Sequence, residues 1–192
     1  MLENEAQLVR EAATEEAAFE ALYNHYFPQI YGYILKRIGR VEVAEDIVSE
    51  VFLKVFTKLQ AYRETEGTFR SWLYTVATNT LIDYCRKSSV KLELTVEEMP
   101  ETIDDDQDQV RYMRKLEDQV MIRTVLDQLP EKYQKVLHLK FFGELSNIEI
   151  AESLSISANH VGVLLYRALE KFEQAYAKHE KKITKRVPLN AA

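Results

Sequence analysis

The chain has 192 residues, 46% hydrophobic and 29% charged, with 25 Lys and Arg against 31 Asp and Glu for a net charge of -6. No apolar run approaches the ~20 residues that span a bilayer, the glutamates at 3, 5, 11, 15, 16 and 20 exclude a secretory or transit segment, and the lone Cys85 excludes a disulfide framework. A cytoplasmic chain without membrane association is expected, and 5 Gly and 4 Pro with no recurring strand-turn alternation point to an all-α fold.

Apolar residues recur at steps of three and four from Ala18: Phe19, Leu22, Tyr23, Tyr26, Phe27, Ile30, Tyr31, Ile34 and Ile38. Such spacing puts one helix face on a core. Pro28 predicts a kink or break within it, and Gly39 ends it. A second stripe runs Ala44, Ile47, Val48, Val51, Phe52, Val55, Phe56, Leu59, with Glu42, Glu45, Asp46, Ser49, Glu50 and Lys54 opposite. After a polar loop containing Gly67, a third helix starts near Thr68 with Phe69, Trp72, Leu73, Val76, Ala77, Leu81 and Tyr84. Arg86 and Lys87 close it, cations suited to the negative end of a helix dipole.

The helical period disappears from Ser88 to about Arg111, where Pro100 and the cluster Asp104, Asp105, Asp106 and Asp108 stand. Residues 88–115 are read as an acidic linker with little fixed structure. Within it, Val90–Val96 alternates like a short strand without an obvious partner.

Helical spacing resumes at Leu116, Val120, Val125, Leu126 and Leu129. Pro130 suits the first position of the next helix, which carries Tyr133, Val136, Leu137, Leu139, Phe141 and Phe142 and stops at Gly143. Ser146 and Glu149 form a capping box. It opens a short helix with Ile150, Ala151 and Leu154, a turn at Ser155–Ser157, and a last helix through Val161, Leu165, Ala168 and Phe172. A short helix, a tight turn and a longer helix make a helix-turn-helix, with Ala151 at the crossing and Ile156 plugging the gap. The domains are therefore 1–87, a linker 88–115, 116–177 with the helix-turn-helix, and a basic tail 178–192.

Catalytic chemistry finds no constellation. His25, His138, His160 and His179 have no metal-ligand spacing among themselves or with Cys85. No GxSxG, P-loop or GxGxxG occurs. No catalytic residue, metal site or cofactor is expected, and the chain is not read as an enzyme. Cys85 stands beside a basic pair that would lower its pKa, or is a plain helix-end cysteine. On the third helix, Tyr74, Thr75, Thr78 and Asn79 form a polar and aromatic face with basic ends, either a surface for single-stranded nucleic acid or an ordinary amphipathic helix.

FEALYNHYFPQIYGYILKRIG, AEDIVSEVFLKVF and FRSWLYTVATNTLIDYCRK, in that order, resemble the promoter-melting domain of bacterial RNA polymerase sigma factors of the extracytoplasmic-function (ECF) group. LDQLPEKYQKVLHLKFFGELSNIEIAESLSISANHVGVLLYRALEKF resembles the same family's promoter-binding domain. The resemblance implies partners: core RNA polymerase, and promoter DNA, double-stranded and then single-stranded on the non-template strand as it melts. An anti-sigma factor also belongs with the family, although no residue here identifies one.

The resemblance also implies roles. Asp46, Ser49 and Glu50 would face a coiled coil of the polymerase's largest subunit, with Ser49 where the family usually has Gln. Tyr62, Arg63, Trp72, Tyr74 and Asn79 would serve melting and capture of a flipped base. Ser157, Asn159, His160, Val163 and Arg167 would bind duplex DNA. In the recognition helix, Gly162 and Leu164 replace two usual cations, and Ser155 replaces the usual turn glycine. Two rival readings stay open: a helix-turn-helix regulator acting without polymerase, and a sigma mimic that sequesters an anti-sigma factor.

Overall fold

The computed structural model describes residues 4–62, 67–87 and 106–184, and every regular element among them is helical. In order these are α1 (Glu5–Glu11), α2 (Glu16–Ile38), α3 (Val41–Lys58) with a closing turn at Leu59–Ala61, α4 (Phe69–Lys87), α5 (Asp106–Asp127), α6 (Glu131–Leu137), α7 (Asn147–Leu154) and α8 (Ala158–Thr184). The alternating patch Val90–Val96 lies outside the described residues.

The first domain is a bundle of α2, α3 and α4, and its core is the expected stripes. Ile30, Ile34, Val51, Leu73, Ala77 and Leu81 are wholly buried. Pro28 does not break α2. It stands on the exposed side of a continuous helix, where the missing N–H costs one bond on the solvent face. Gly39 ends α2 in the left-handed conformation (φ 74°), its N–H donating to the Leu35 carbonyl at 2.7 Å. The sequence reading contains no α1. That helix docks on α2 through Val9 and Ala12, and Tyr26 donates its hydroxyl proton to Glu5. Phe56, expected in the buried stripe of α3, is 56% exposed, with its ring 5.1 Å from that of Phe19 on α2.

In the second domain, Val125, Val136, Leu139, Ile150, Val161 and Ala168 are wholly buried. The helix begun at Glu131 does not run on as α to Phe142. Its last turn, His138–Phe142, widens to a π-helical turn closed by Gly143 N–H donating to the His138 carbonyl at 3.0 Å. Pro130 precedes the first helical residue rather than occupying it. Helix α5 begins at Asp106, inside the stretch read as linker, and α8 runs on to Thr184, inside the stretch read as tail.

The two domains pack on each other: α4 meets α6, α7 and the π turn, and α2 meets the π turn. Their buried side chains form one continuous cluster.

Candidate nucleic-acid interface

On α3, the period of 3.6 turns Ile47, Val48, Val51 and Val55 inward and leaves Asp46, Ser49 and Glu50 exposed side by side. Glu50 pairs with Lys54 across one turn at 2.7 Å. Lys54 also donates to Thr80 Oγ1 at 3.1 Å, so it ties α3 to α4 instead of joining the outer face. Leu53 is 63% exposed beside these carboxylates. The sequence reading passed over it because it falls outside the apolar stripe, and that is the signal that would have placed it on the surface.

On α4, the candidate melting residues divide. Tyr62 donates its hydroxyl proton to the Gly67 carbonyl at 2.9 Å, and its ring lies 5.3 Å from Trp72 and 5.8 Å from Phe69. This aromatic group packs Tyr62 against the first turn of α4. Arg63 lies outside the described residues. Asn79 is exposed two turns further along, about 10 Å at 1.5 Å per residue.

Tyr74 and Thr78 do not share that open face. Thr78 Oγ1 lies 2.8 Å from the Tyr33 hydroxyl and donates to the Tyr74 carbonyl at 2.7 Å. Tyr74 is only 4% exposed, edge-on to Tyr33 with the Arg70 guanidinium over its ring. A Cβ on Gly143 would come within 3.1 Å of Tyr74 Cε1, which shows how closely the second domain lies on this ring.

The helix-turn-helix is built as its sequence dictates. Ser146 accepts from Glu149 N–H, and the Glu149 carboxylate accepts from Ser146 N–H at 2.8 Å, completing the capping box. Ser155 adopts the left-handed conformation (φ 53°) that glycine usually supplies. Ile156 N–H then donates to the Ala151 carbonyl at 3.0 Å, and the Ile156 side chain packs against the core. Ser157 caps α8, accepting from His160 N–H at 3.3 Å. Asn159, His160, Val163 and Arg167 are all exposed. His160, Val163 and Arg167 line one groove of about 550 Å³ with Lys132, Tyr133 and Ile156. Tyr166, 72% exposed on the same helix, is a surface aromatic the sequence reading left unassigned.

A polar cluster joins the domains. Arg37, fully buried, donates to Asp127 Oδ1 at 2.5 Å and faces His138 Nε2 at 3.5 Å. Burial, reinforced by the Arg37 charge, pushes His138 well below its ordinary pKa, so it is a neutral imidazole. Burial raises the Asp127 carboxyl, and Arg37 opposes that rise. Arg123 donates to the Ile38 carbonyl at 3.0 Å, at the negative end of α2. Cys85, nearby, is pushed up to about 11 by burial against the opposing pull of Arg37, so it is an inert thiol and not an activated one. Among the described residues no His, Cys, Asp and Glu group is arranged to hold a metal ion, and no helix is long and apolar enough to cross a membrane.

A helix-turn-helix packed behind a second helical domain defines a two-part DNA-binding protein. Two family models match in the same order: Sigma-70 region 2 over residues 22–90, and Sigma-70, region 4 over residues 119–172. RNA polymerase sigma factor YlaC of Bacillus subtilis (strain 168) is 34% identical over 155 residues, covering 79% of this chain and 87% of that one. The ECF RNA polymerase sigma factor SigW of the same organism is 29% identical over 169 residues, 81% of this chain and 87% of that one. The structure of CnrH in complex with the cytosolic domain of CnrY shares the fold, with a TM-score of 0.60 at 18% identity over 90% of this chain and 96% of that one. The chain belongs to the ECF sigma factors of bacterial RNA polymerase. As such it is a non-enzymatic subunit that binds the core polymerase and promoter DNA and initiates transcription.

Proposed function

We propose that three surfaces of this chain divide the work of initiation. The exposed face of α3 with Asp46, Ser49 and Glu50 meets the core polymerase. Tyr62, Arg63, Trp72, Tyr74 and Asn79 hold the non-template strand as the promoter melts. Ser157, Asn159, His160, Val163 and Arg167 bind the duplex upstream. The observation that carries this division is the exposure of two polar helix faces on separate domains. One is the acidic face of α3; the other is the first two turns of α8, lined by the groove of His160, Val163 and Arg167.

The domain bounds that go with it are 1–87 for melting and core binding, 88–115 for the acidic linker, 116–177 for promoter binding and 178–192 for the basic tail. An anti-sigma factor is a further partner of the cytoplasmic chain. CnrH is solved in complex with the cytosolic domain of CnrY, a protein partner bound to the same fold, and that supports a comparable protein partner for this chain. The test is reconstitution: purified chain, core polymerase and genomic fragments of the host, with transcript starts mapped. A limited set of starts absent from core alone is the expected result. Binding to an operator without polymerase, and no new starts, favours the regulator reading instead.

A further inference from the structure

Tyr62 makes a bond that stacking on a base does not require. Its hydroxyl donates to the Gly67 carbonyl at 2.9 Å, five positions on. That bond joins the two ends of the segment 63–66, which bears Arg63. Each end is also fixed to a helix. Tyr62 N–H donates to the Leu59 carbonyl at 3.1 Å, in the turn that follows α3. Thr68 caps α4, its Oγ1 accepting from Ser71 N–H at 3.2 Å. Before that cap Gly67 holds φ 135°, a region open to glycine and strained for other residues.

The ring of Tyr62 makes a separate set of contacts. It lies tilted at 5.3 Å from Trp72 and edge-on at 5.8 Å to the buried Phe69, which in turn lies 5.5 Å from Tyr26 of α2. A phenylalanine at position 62 keeps these ring contacts and loses the bond to Gly67. Packing therefore asks only for an aromatic ring, and the hydroxyl supplies the tie.

We propose that Tyr62 is a positioning residue for strand capture, whose hydroxyl ties the ends of segment 63–66 together and so presets the groups that meet the melted non-template strand. The inference rests on the assignment of this segment and of α4 to melted DNA. Extruding a base costs unstacking energy, and ordering the groups that receive it costs more. A segment tied at both ends has less freedom to lose when the strand binds. It also offers one arrangement of groups to the base, whereas an untied segment adjusts to several bases and discriminates less between them.

The test compares the full chain as native, Tyr62→Phe and Tyr62→Leu, each assembled with core polymerase. The probe is a single-stranded DNA oligonucleotide of non-template sequence upstream of a mapped start, in four versions that differ at the base to which the native complex is most sensitive. Tyr62→Phe is expected to bind the preferred version about three- to ten-fold more weakly, the range spanned by one neutral hydrogen bond. The spread among the four versions is expected to narrow by a similar factor. Tyr62→Leu, which loses ring and hydroxyl, is expected to bind more weakly still. Native affinity and ranking in Tyr62→Phe overturn the proposal, and with a weak Tyr62→Leu they assign Tyr62 to stacking alone. An equal loss on all four versions also overturns it, because a merely structural hydroxyl gives that result. A second readout needs no DNA. Trypsin cleavage of the free chain after Arg63, normalised to cleavage after Lys178, is expected to run at least about three-fold faster in Tyr62→Phe, and an unchanged rate refutes the tie. A native complex that binds all four versions alike sinks the assignment of this region to melted DNA, and the proposal with it, even where trypsin shows the tie.

Discussion

The fully buried Arg37 of α2 and the partly exposed Asp127 at the end of α5 form an ion pair across the two domains, ninety residues apart in the chain. One guanidinium nitrogen, Nη1, and the His138 Nδ1 beside it are buried without a hydrogen-bond partner. The cluster therefore depends on its one carboxylate.

Removing that carboxylate leaves a buried cation unpaired. Asp127 is 32% exposed, so solvent offsets part of the loss, and Asp127→Ala is expected to cost about 2 kcal/mol in chemical denaturation. Replacing both partners by apolar residues, Arg37→Met with Asp127→Leu, removes the stranded charge as well as the pair. The double variant is expected to be more stable than Asp127→Ala alone. A double variant that is less stable would mean that Arg37 contributes mainly through its packing.

His138 gives the fold a pH dependence of known sign. Its folded-state pKa lies well below 6.5 because burial and Arg37 oppose a second cation there. In the unfolded chain it titrates near 6.5. Above that pH neither state binds the proton and the imidazole has no effect. As pH falls below it, the unfolded chain takes a proton that the folded chain refuses, and stability drops by up to about 1.4 kcal/mol per pH unit. The difference in unfolding free energy between the native chain and His138→Gln, followed from pH 7.5 to 5.5, isolates this slope from that of Asp127 and the other carboxylates. A constant difference would remove His138 from the account.

Much of this architecture is written locally. The capping box of Ser146 and Glu149, the Ser157 cap and the stripes of α2, α3 and α4 are set by residues a few positions apart, and the structure reproduces them apart from the exposed Phe56. What local pattern does not hold is the identity of a distant partner. Tyr74 and Thr78 read as an open polar face because their neighbours Tyr33 and Gly143 lie 41 or more positions away in sequence. The buried Arg37 looks like any helix-end cation until Asp127 and His138 are brought to it. Helix α1 has too few apolar positions, Val9 and Ala12 among its anchors, to announce itself by period.

Ser155 and Gly39 show the two sides of left-handed backbone. Ser155 adopts φ 53° with a side chain present, so Ser155→Gly is expected to stabilise by up to about 1 kcal/mol without altering the turn. Gly39 adopts φ 74°, and a Cβ there would stand 2.3 Å from Arg123 Nη1. Gly39→Ala therefore strains the backbone and drives Arg123 from the end of α2, and a loss of more than about 1 kcal/mol is expected. Thermal melting of both variants is the check, and a Gly39→Ala chain as stable as the native one would show that Arg123 moves aside freely.

Asp46 and Glu50 lie on the solvent face of α3, and the Glu50–Lys54 pair is an exposed i,i+4 contact worth only about 0.3–0.5 kcal/mol. Reversing both charges, Asp46→Lys with Glu50→Lys, is expected to leave melting near native and to weaken core-polymerase binding about ten-fold or more. Undiminished affinity in a folded variant would remove this face from the polymerase contact.

The split between reading and gripping DNA is the sharpest test of the role proposed for α8. Asn159 and His160 are exposed in the first turn of α8, where side chains reach base edges in the major groove. Arg167, two turns on, lines the groove with His160, and in the proposed reading it meets a phosphate. A bidentate base contact is worth ~1–3 kcal/mol. If Asn159 makes one, Asn159→Ala lowers discrimination between promoter variants about ten-fold or more while its affinity for unrelated duplex stays unchanged. Arg167→Ala instead weakens binding to all sequences alike and flattens the salt dependence, since one fewer counterion is released. Ser157 already caps the helix by accepting from His160 N–H at 3.3 Å, so a capping role for Asn159 is not needed to hold the first turn. A variant that melts earlier yet ranks promoters as the native chain does would nevertheless assign Asn159 to the helix end, and base reading would then fall to His160 and Val163.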